Sequence, residues 1–102
     1  MMNRVLLVGE LESDEPFTGV AASGDTFAKF TVHTWEAVPG KGFRHQRTAC
    51  VAYNAIAEMI ETHGTKGKPV VVEGKLNHYR GTDNQFRTEV VCERIVFTDK
   101  QD

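Results

Sequence analysis

Pro69-Val70-Val71-Val72-Glu73-Gly74-Lys75-Leu76-Asn77-His78-Tyr79-Arg80 is the stretch whose reading decides the fold. Three successive valines are β-branched and favour extended backbone, and apolar-polar alternation continues through Asn77, which predicts one long strand. With side chains alternating across it, Val70, Val72, Gly74 and Leu76 share one face, and Val71, Glu73, Lys75, Asn77 and Tyr79 share the other. The first set needs a core and is expected to form a barrel wall. The second mixes charge, amide and aromatic ring. A glycine on the buried face of a strand marks a bend or the close approach of another backbone, so Gly74 is expected to be a corner.

Before this strand, residues 65–69 form a basic turn, and residues 55–63 read as the one helix, with Ile56, Met59 and Ile60 at helical spacing on one side. Asn54 is placed to cap its start and Gly64 to end it. Residues 43–53 read as a strand with Arg47, Ala49, Val51 and Tyr53 on one face and Thr48, Cys50 and Ala52 on the other. Pro39, Gly40 and Gly42 predict a mobile loop ahead of it. Residues 27–36 form another strand, with Ala28, Phe30, Val32 and Thr34 on one side and Lys29, Thr31, His33 and Trp35 on the other.

Residues 4–11 make the first strand, with Val5, Leu7, Gly9 and Leu11 inward. An acidic run, Glu10, Glu12, Asp14 and Glu15, starts at the end of this strand, and the turn-rich segment between the two strands, with Pro16, Gly19 and Ser23-Gly24-Asp25, is read as a loop or hairpin tip. After Arg80, Gly81-Thr82-Asp83-Asn84 is a second tip leading into a last strand, Phe86–Phe97.

Three strands, a short helix and two strands within 102 residues predict an all-β single domain. The order is that of a five-stranded oligonucleotide-binding (OB) Greek-key barrel, with one short helix between strands 3 and 4. An SH3-like barrel competes, but would not usually place a helix there. The domain is expected to span residues 1–102, with its core in 3–97 and a short polar tail in 98–102.

Forty per cent hydrophobic and 25% charged residues describe an ordinary globular chain, with no apolar run of membrane-spanning or secretory length, so the cytoplasm is the expected compartment. Cys50 and Cys92 form no C-x-x-C pair and signal neither zinc nor a disulfide framework. The net charge of −2 does not describe a chain that is basic overall. The acids crowd positions 10–15, however, while Arg44, Arg47, Lys66, Lys68, Lys75, Arg80 and Arg87 occupy the middle and later chain, which leaves room for a basic face. No nucleotide-loop, zinc-protease or nucleophile-elbow motif is present, and Glu73 and Glu89 stand isolated among strands. No enzyme activity, cofactor or metal is expected.

Five segments carry a family resemblance: N-R-V-L-L-V-G-E-L from residue 3, F-A-K-F-T-V from 27, N-A-I-A-E-M-I from 54, K-G-K-P-V-V-V-E-G-K-L from 66 and T-E-V-V-C-E-R-I-V-F from 88. Across residues 3–97 the chain resembles the bacterial and phage single-stranded DNA-binding proteins. Primosomal replication protein N is similar in size and in its N-R-V-L start. The resemblance implies sequence-independent binding and protection of single-stranded DNA in replication, recombination or repair. Its alternative is a primosomal accessory barrel that docks helicase or primase. It also implies a homo-oligomer, tetramer or dimer, and Leu6 and Val8 point away from the first strand's core face in agreement. Relatives that recruit partner enzymes end in an acidic Pro-Phe-containing tip, which the residues before Asp102 lack.

Binding single-stranded DNA needs cations along the phosphates and rings on which bases stack. The candidate residues are Lys29, Thr31, His33, Trp35, Arg44, Arg47, Tyr53, Lys75, Asn77, Tyr79, Arg80 and Arg87. In the resemblance, Trp35 falls at or near a stacking tryptophan and Tyr53 at a stacking phenylalanine. Family members often carry further tryptophans where this chain has Arg47 and Gly81; arginine still stacks through its planar guanidinium, and glycine does not. Packing roles compete for Trp35, Tyr53 and Tyr79. Phe27, Phe30 and Phe97 are expected in the core, His45, His63 and His78 in solvent, and Arg4 and Arg94 beside carboxylates.

Overall fold

The computed structural model describes residues 1–12 and 15–98, so Asp14 of the acidic run and residues 99–102 of the polar tail lie outside the described residues. The elements are β1 (Val5–Leu11), β2 (Phe17–Val20), β3 (Thr26–Val38), β4 (Gly42–Tyr53), α1 (Asn54–His63), β5 (Pro69–Arg80) and β6 (Phe86–Phe97). The strands follow the order β1-β5-β6-β4-β3-β2, and an additional β1–β3 pairing closes five of them into a barrel. Only the short β4–β6 contact, Cys50↔Val90 and Val51↔Val91, is parallel. This is the expected OB architecture, with the helix between the third and fourth barrel strands.

Of the two readings of the segment before β3, loop or hairpin tip, the structure bears out the second: Ser23-Gly24-Asp25 is the tip of a β2–β3 hairpin, and β2 is the unexpected strand. Its four residues pair with the start of β3, Phe17↔Lys29 through Val20↔Thr26. So short a strand, set between Pro16 and a turn at Ala21–Asp25, carries too little alternation to be read from sequence; the open edge of β3 supplies its hydrogen bonds instead.

The inward faces are those the alternation predicts. Leu11, Ala28, Phe30, Val32, Cys50, Ala52, Val70, Val72, Val90, Cys92 and Ile95 form one buried cluster, which Ala57 and Ile60 of α1 close at one end. The inward set of β6 shifts phase between Cys92 and Ile95. A β-bulge makes this possible: Glu73 pairs with Arg94 and Gly74 with Cys92, so Glu93 has no partner on β5. Gly74 is the corner at this bulge, and a Cβ there would lie 2.0 Å from the Val91 carbonyl oxygen. Gly9 serves the seam between β1 and β3, where a Cβ would lie 2.1 Å from the His33 carbonyl oxygen.

Past the Leu76↔Val90 pair, β5 and β6 run on as a hairpin beyond the β4–β6 contact that closes the barrel. Leu76, expected in the wall, is 42% exposed at the rim, although its partner Val90 is buried. Its backbone is occupied by Asn3: the Leu76 N–H donates to Asn3 Oδ1, and Asn3 Nδ2 donates to the Leu76 carbonyl, each at 2.9 Å. The expected mobile loop after β3 is a tight turn, with the Lys41 N–H donating to the Val38 carbonyl at 2.9 Å and the β3–β4 ladder running out to Val38↔Gly42.

The helix is rotated from its expected contact stripe. Ala57 and Ile60 are buried and Ile56 packs beside them, while Met59 is exposed, because small Ala57 lets the helix close on the barrel. Asn54 does not cap it; its backbone sits at φ 53, its Oδ1 accepts from the Thr26 N–H at 3.3 Å and its Nδ2 donates to Asp25 Oδ1 at 3.1 Å. Gly64 ends the helix as expected, donating its N–H to the Ile60 carbonyl at 2.8 Å. Cys50 and Cys92 are buried free thiols. Burial pushes their pKa values up to about 12 and about 11, so the reactive thiolate is scarce at neutral pH. No helix among the described residues is long and apolar enough to cross a membrane.

Candidate nucleic-acid interface

Paired residues in a β-ladder project to the same side, so the register determines which candidate side chains meet. Between β3 and β4 the pairs include Phe27↔Tyr53, Lys29↔Val51, Thr31↔Ala49, His33↔Arg47 and Trp35↔His45. Between β5 and β6 they include Lys75↔Val91, Asn77↔Glu89 and Tyr79↔Arg87, and Val51↔Val91 joins the two sets. Lys29, Thr31, His33, Trp35, Arg47, Tyr53, Lys75, Asn77, Tyr79 and Arg87 consequently share one side of the sheet. Lys29 links its halves, with Nζ 5.8 Å from the Tyr79 ring centroid. Trp35 and Tyr53 are 45% and 41% exposed, enough to offer ring surface to a ligand.

Arg44 and Arg80 lie on the opposite side, one residue out of phase with the rest. Arg44 pairs across the ladder with Glu36 and borders a second cleft of about 320 Å³ with Leu6, Val8, Gln46 and Trp35. The Arg80 guanidinium sits 4.6 Å from the Phe86 ring centroid and donates to Asn84 Oδ1 at 3.2 Å. Phe27 also departs from expectation. It is half-buried on the outward face, its ring centroid 6.0 Å from that of Phe17, rather than in the core.

Several cations on this face are already engaged. Arg47 Nε donates to Glu12 Oε1 at 2.9 Å, and this bond holds the Glu12 carboxyl below its usual range and therefore ionised at neutral pH. His33 Nδ1 lies 3.8 Å from the other Glu12 oxygen. Arg87 pairs with Asp83, whose carboxyl is held low first by the Gln85 backbone N–H and also by Arg87. Lys75 makes no ion pair among the described residues.

His45 is exposed as expected and also stacks on His33, with centroids 5.0 Å apart and a 2.8 Å contact between Nδ1 and the Nε2 of His33. The His33 ring in turn lies 5.0 Å from that of Trp35. His63 lies 6.1 Å from the Phe97 ring, and His78 Nδ1 lies 2.9 Å from Thr88 Oγ1. Arg4 pairs with Glu73 at 2.7 Å as expected for a residue beside a carboxylate.

Between β2–β3–β4 and the β5–β6 hairpin runs a cleft of about 310 Å³ lined by Phe17, Lys29, Thr31, Ala49, Tyr79 and Glu89, among others. Four further groups lie on this face that are not among the candidates the sequence names: Phe17 and Glu89 at the cleft, Glu12 on Arg47 and His45 on His33. The β4 alternation, carried two residues upstream of Arg47, would have found His45; Phe17 and Glu12 were hidden by the loop-like composition around them. Among the described residues, no group of histidine, cysteine and acidic side chains is arranged to hold a metal ion.

The family model described as single-strand binding protein family matches residues 2–98. A single-stranded DNA-binding protein of Clostridium perfringens is 30% identical over 105 residues, covering 96% of this chain and 67% of the relative. Single-stranded DNA-binding protein 1 of Chlorobaculum tepidum is 32% identical over 100 residues, covering 89% of this chain and 61% of that protein. The chain thus spans about two thirds or less of these relatives' length. A solved Plasmodium falciparum SSB in complex with ssDNA shares the fold, with a TM-score of 0.81 at 24% identity over 97% of this chain and 96% of that one. This chain belongs to the single-strand binding protein family.

Proposed function

We propose that the outward face of β3, β4 and the β5–β6 hairpin binds single-stranded DNA without sequence preference, keeping it unpaired and protected during replication, recombination or repair. One observation carries this reading: the exposed rings of Trp35 and Tyr53, together with Tyr79, share a side of the sheet with Lys29, Arg47, Lys75 and Arg87. Bases stack on the rings, and the cations displace the counterions condensed along the phosphates. Glu12 already satisfies Arg47, so an arriving phosphate has to compete with that carboxylate. The protein acts by binding alone, without catalysis.

Trp35 is the only tryptophan, so its emission reports directly on the face. Titration with oligo-dT at low salt is expected to quench it. The logarithm of the affinity should fall with the logarithm of salt at a slope of about −3, because each of four neutralised phosphates contributes about −0.7 on a single strand. Absence of both quenching and binding at low salt would overturn the reading.

Self-association belongs to the same proposal. Leu6 and Val8 are 65% and 67% exposed on the outer side of β1, and the ladder sets Val8 beside Val71 and Val71 beside Val96, which is 40% exposed. The Arg4–Glu73 ion pair borders this apolar strip. A second copy presenting the same strip about a two-fold axis would cover both. Light scattering is expected to give a dimer or tetramer, and Leu6→Glu to reduce its mass at least by half; a monomeric wild-type protein would refute the association.

A further inference from the structure

Glu89 fits neither stacking nor phosphate contact. It is only 9% exposed, at the cleft that Glu15, Phe17, Lys29 and Tyr79 also line. A buried carboxylate on a phosphate-binding face works against the face's electrostatics, and its burial is costly unless hydrogen bonds replace the lost water. Among the described residues, its side-chain hydrogen bond comes from Asn77 Nδ2 at 3.4 Å, longer than the ordinary range of about 2.7–3.2 Å. The two oxygens of a carboxylate offer about four lone-pair sites, so the Asn77 bond leaves room for further donors from the cleft.

The surroundings specify what would meet it. The β5–β6 ladder pairs Glu89 with Asn77 and sets Tyr79, opposite Arg87, one outward position further along. Phe17 of β2 and Tyr79 contribute aromatic surface to the same cleft, and Lys29 lies over the Tyr79 ring. At about 310 Å³ the cleft stands at the low end of small-molecule pockets, which run from roughly 300 to 1,000 Å³. A flat group with N–H donors along one edge and a phosphate nearby matches this lining.

Resting on the single-strand reading above, we propose that the cleft is a base-reading subsite, in which Glu89 accepts hydrogen bonds from the edge of one inserted nucleobase and thereby favours guanine. Guanine presents N1–H and the N2 amino group side by side, two donors for two carboxylate oxygens. Cytosine and adenine each present an amino donor beside a ring-nitrogen acceptor, which the carboxylate repels. Thymine offers a single N3–H flanked by two carbonyl oxygens. Tyr79 supplies a stacking surface for the inserted base, and Lys29 is placed for the adjoining phosphate. The rest of the face stays indifferent to sequence, so the preference belongs to one position in the bound strand.

Competition titrations on the wild-type protein test this with three strands of equal length: oligo-dT, the same strand with one central guanine, and the same strand with hypoxanthine there, which lacks the N2 amino group. The single guanine is expected to tighten binding about tenfold, in line with a good two-bond base contact, and hypoxanthine to lose most of that gain. In Glu89→Gln the ratio of guanine to all-thymine affinity should fall below about twofold, read within that protein. Equal binding of the guanine and all-thymine strands by the wild type, or an undiminished ratio in Glu89→Gln, overturns the subsite. The wild-type comparison decides even if the variant fails to fold. Failure of every strand to bind would instead overturn the single-strand reading itself.

Discussion

Gly74→Val is expected to prevent the barrel from forming, although valine is the better strand former. Intrinsic preference alone favours the substitution, because β-branched residues suit extended backbone and glycine does not. The local geometry opposes it. A Cβ at position 74 would stand 2.0 Å from the Val91 carbonyl oxygen, 2.9 Å from the Val91 carbonyl carbon and 3.2 Å from the Cys92 Cα. All three are backbone atoms of β6, and they cannot move aside without opening the β5–β6 ladder at its bulge. That ladder also aligns Val90 and Cys92 with the core and Glu89 and Arg87 with the outward face. The expected loss is at least about 4 kcal/mol, in the exceptional range for a point substitution. Small domains have only about 5–15 kcal/mol in total. Urea unfolding followed by circular dichroism measures it, and a variant as stable as the wild type would show that the hairpin can re-register around position 74.

Much of this architecture was legible in the sequence because two-residue periodicity runs through the long strands, broken in β6 at the bulge between Cys92 and Ile95. Residues 69–80 and 86–97 are strands with those same bounds, and the inward sets of β1, β3 and β4 are those the alternation named. What escaped has physical causes. β2 owes its existence to the unpaired edge of β3 rather than to its own four residues. Leu76 keeps the phase of the wall and stands opposite buried Val90, but it lies at the rim, where the core covers it only in part. Asn54 looked like a cap because the residue type is a good one, yet its side chain is used by Thr26 and Asp25.

The candidate face followed the same logic. The odd-numbered residues of β3, β4 and β5 meet on one side because the ladders are in register, which alternation anticipates. Arg44 and Arg80 were grouped with them by charge, and charge carries no phase. Glu12 and His45 depended on contacts across strands, Glu12 onto Arg47 and His45 onto His33. No one-dimensional pattern contains those contacts.

Trp35→Ala is expected to weaken oligo-dT binding by roughly 5- to 150-fold, the range that about 1–3 kcal/mol of base stacking represents when about 1.4 kcal/mol makes a factor of ten. The fold should survive the change. Trp35 is 45% exposed and outside the buried cluster, and its ring contact is with His33, itself on the outward face. Anisotropy of a labelled oligo-dT is the suitable readout, since the variant has no tryptophan left to report. The salt dependence separates stacking from charge. Removing an uncharged ring should lower the affinity at every salt concentration and leave the slope near about −3, whereas removing one phosphate-contacting cation should also make the slope shallower by about 0.7. Trp35→Phe should recover part of the loss, because a smaller ring still offers a π-face. Affinity within twofold of wild type for Trp35→Ala would assign this ring to packing against the imidazoles and leave Tyr53 and Tyr79 to supply the stacking.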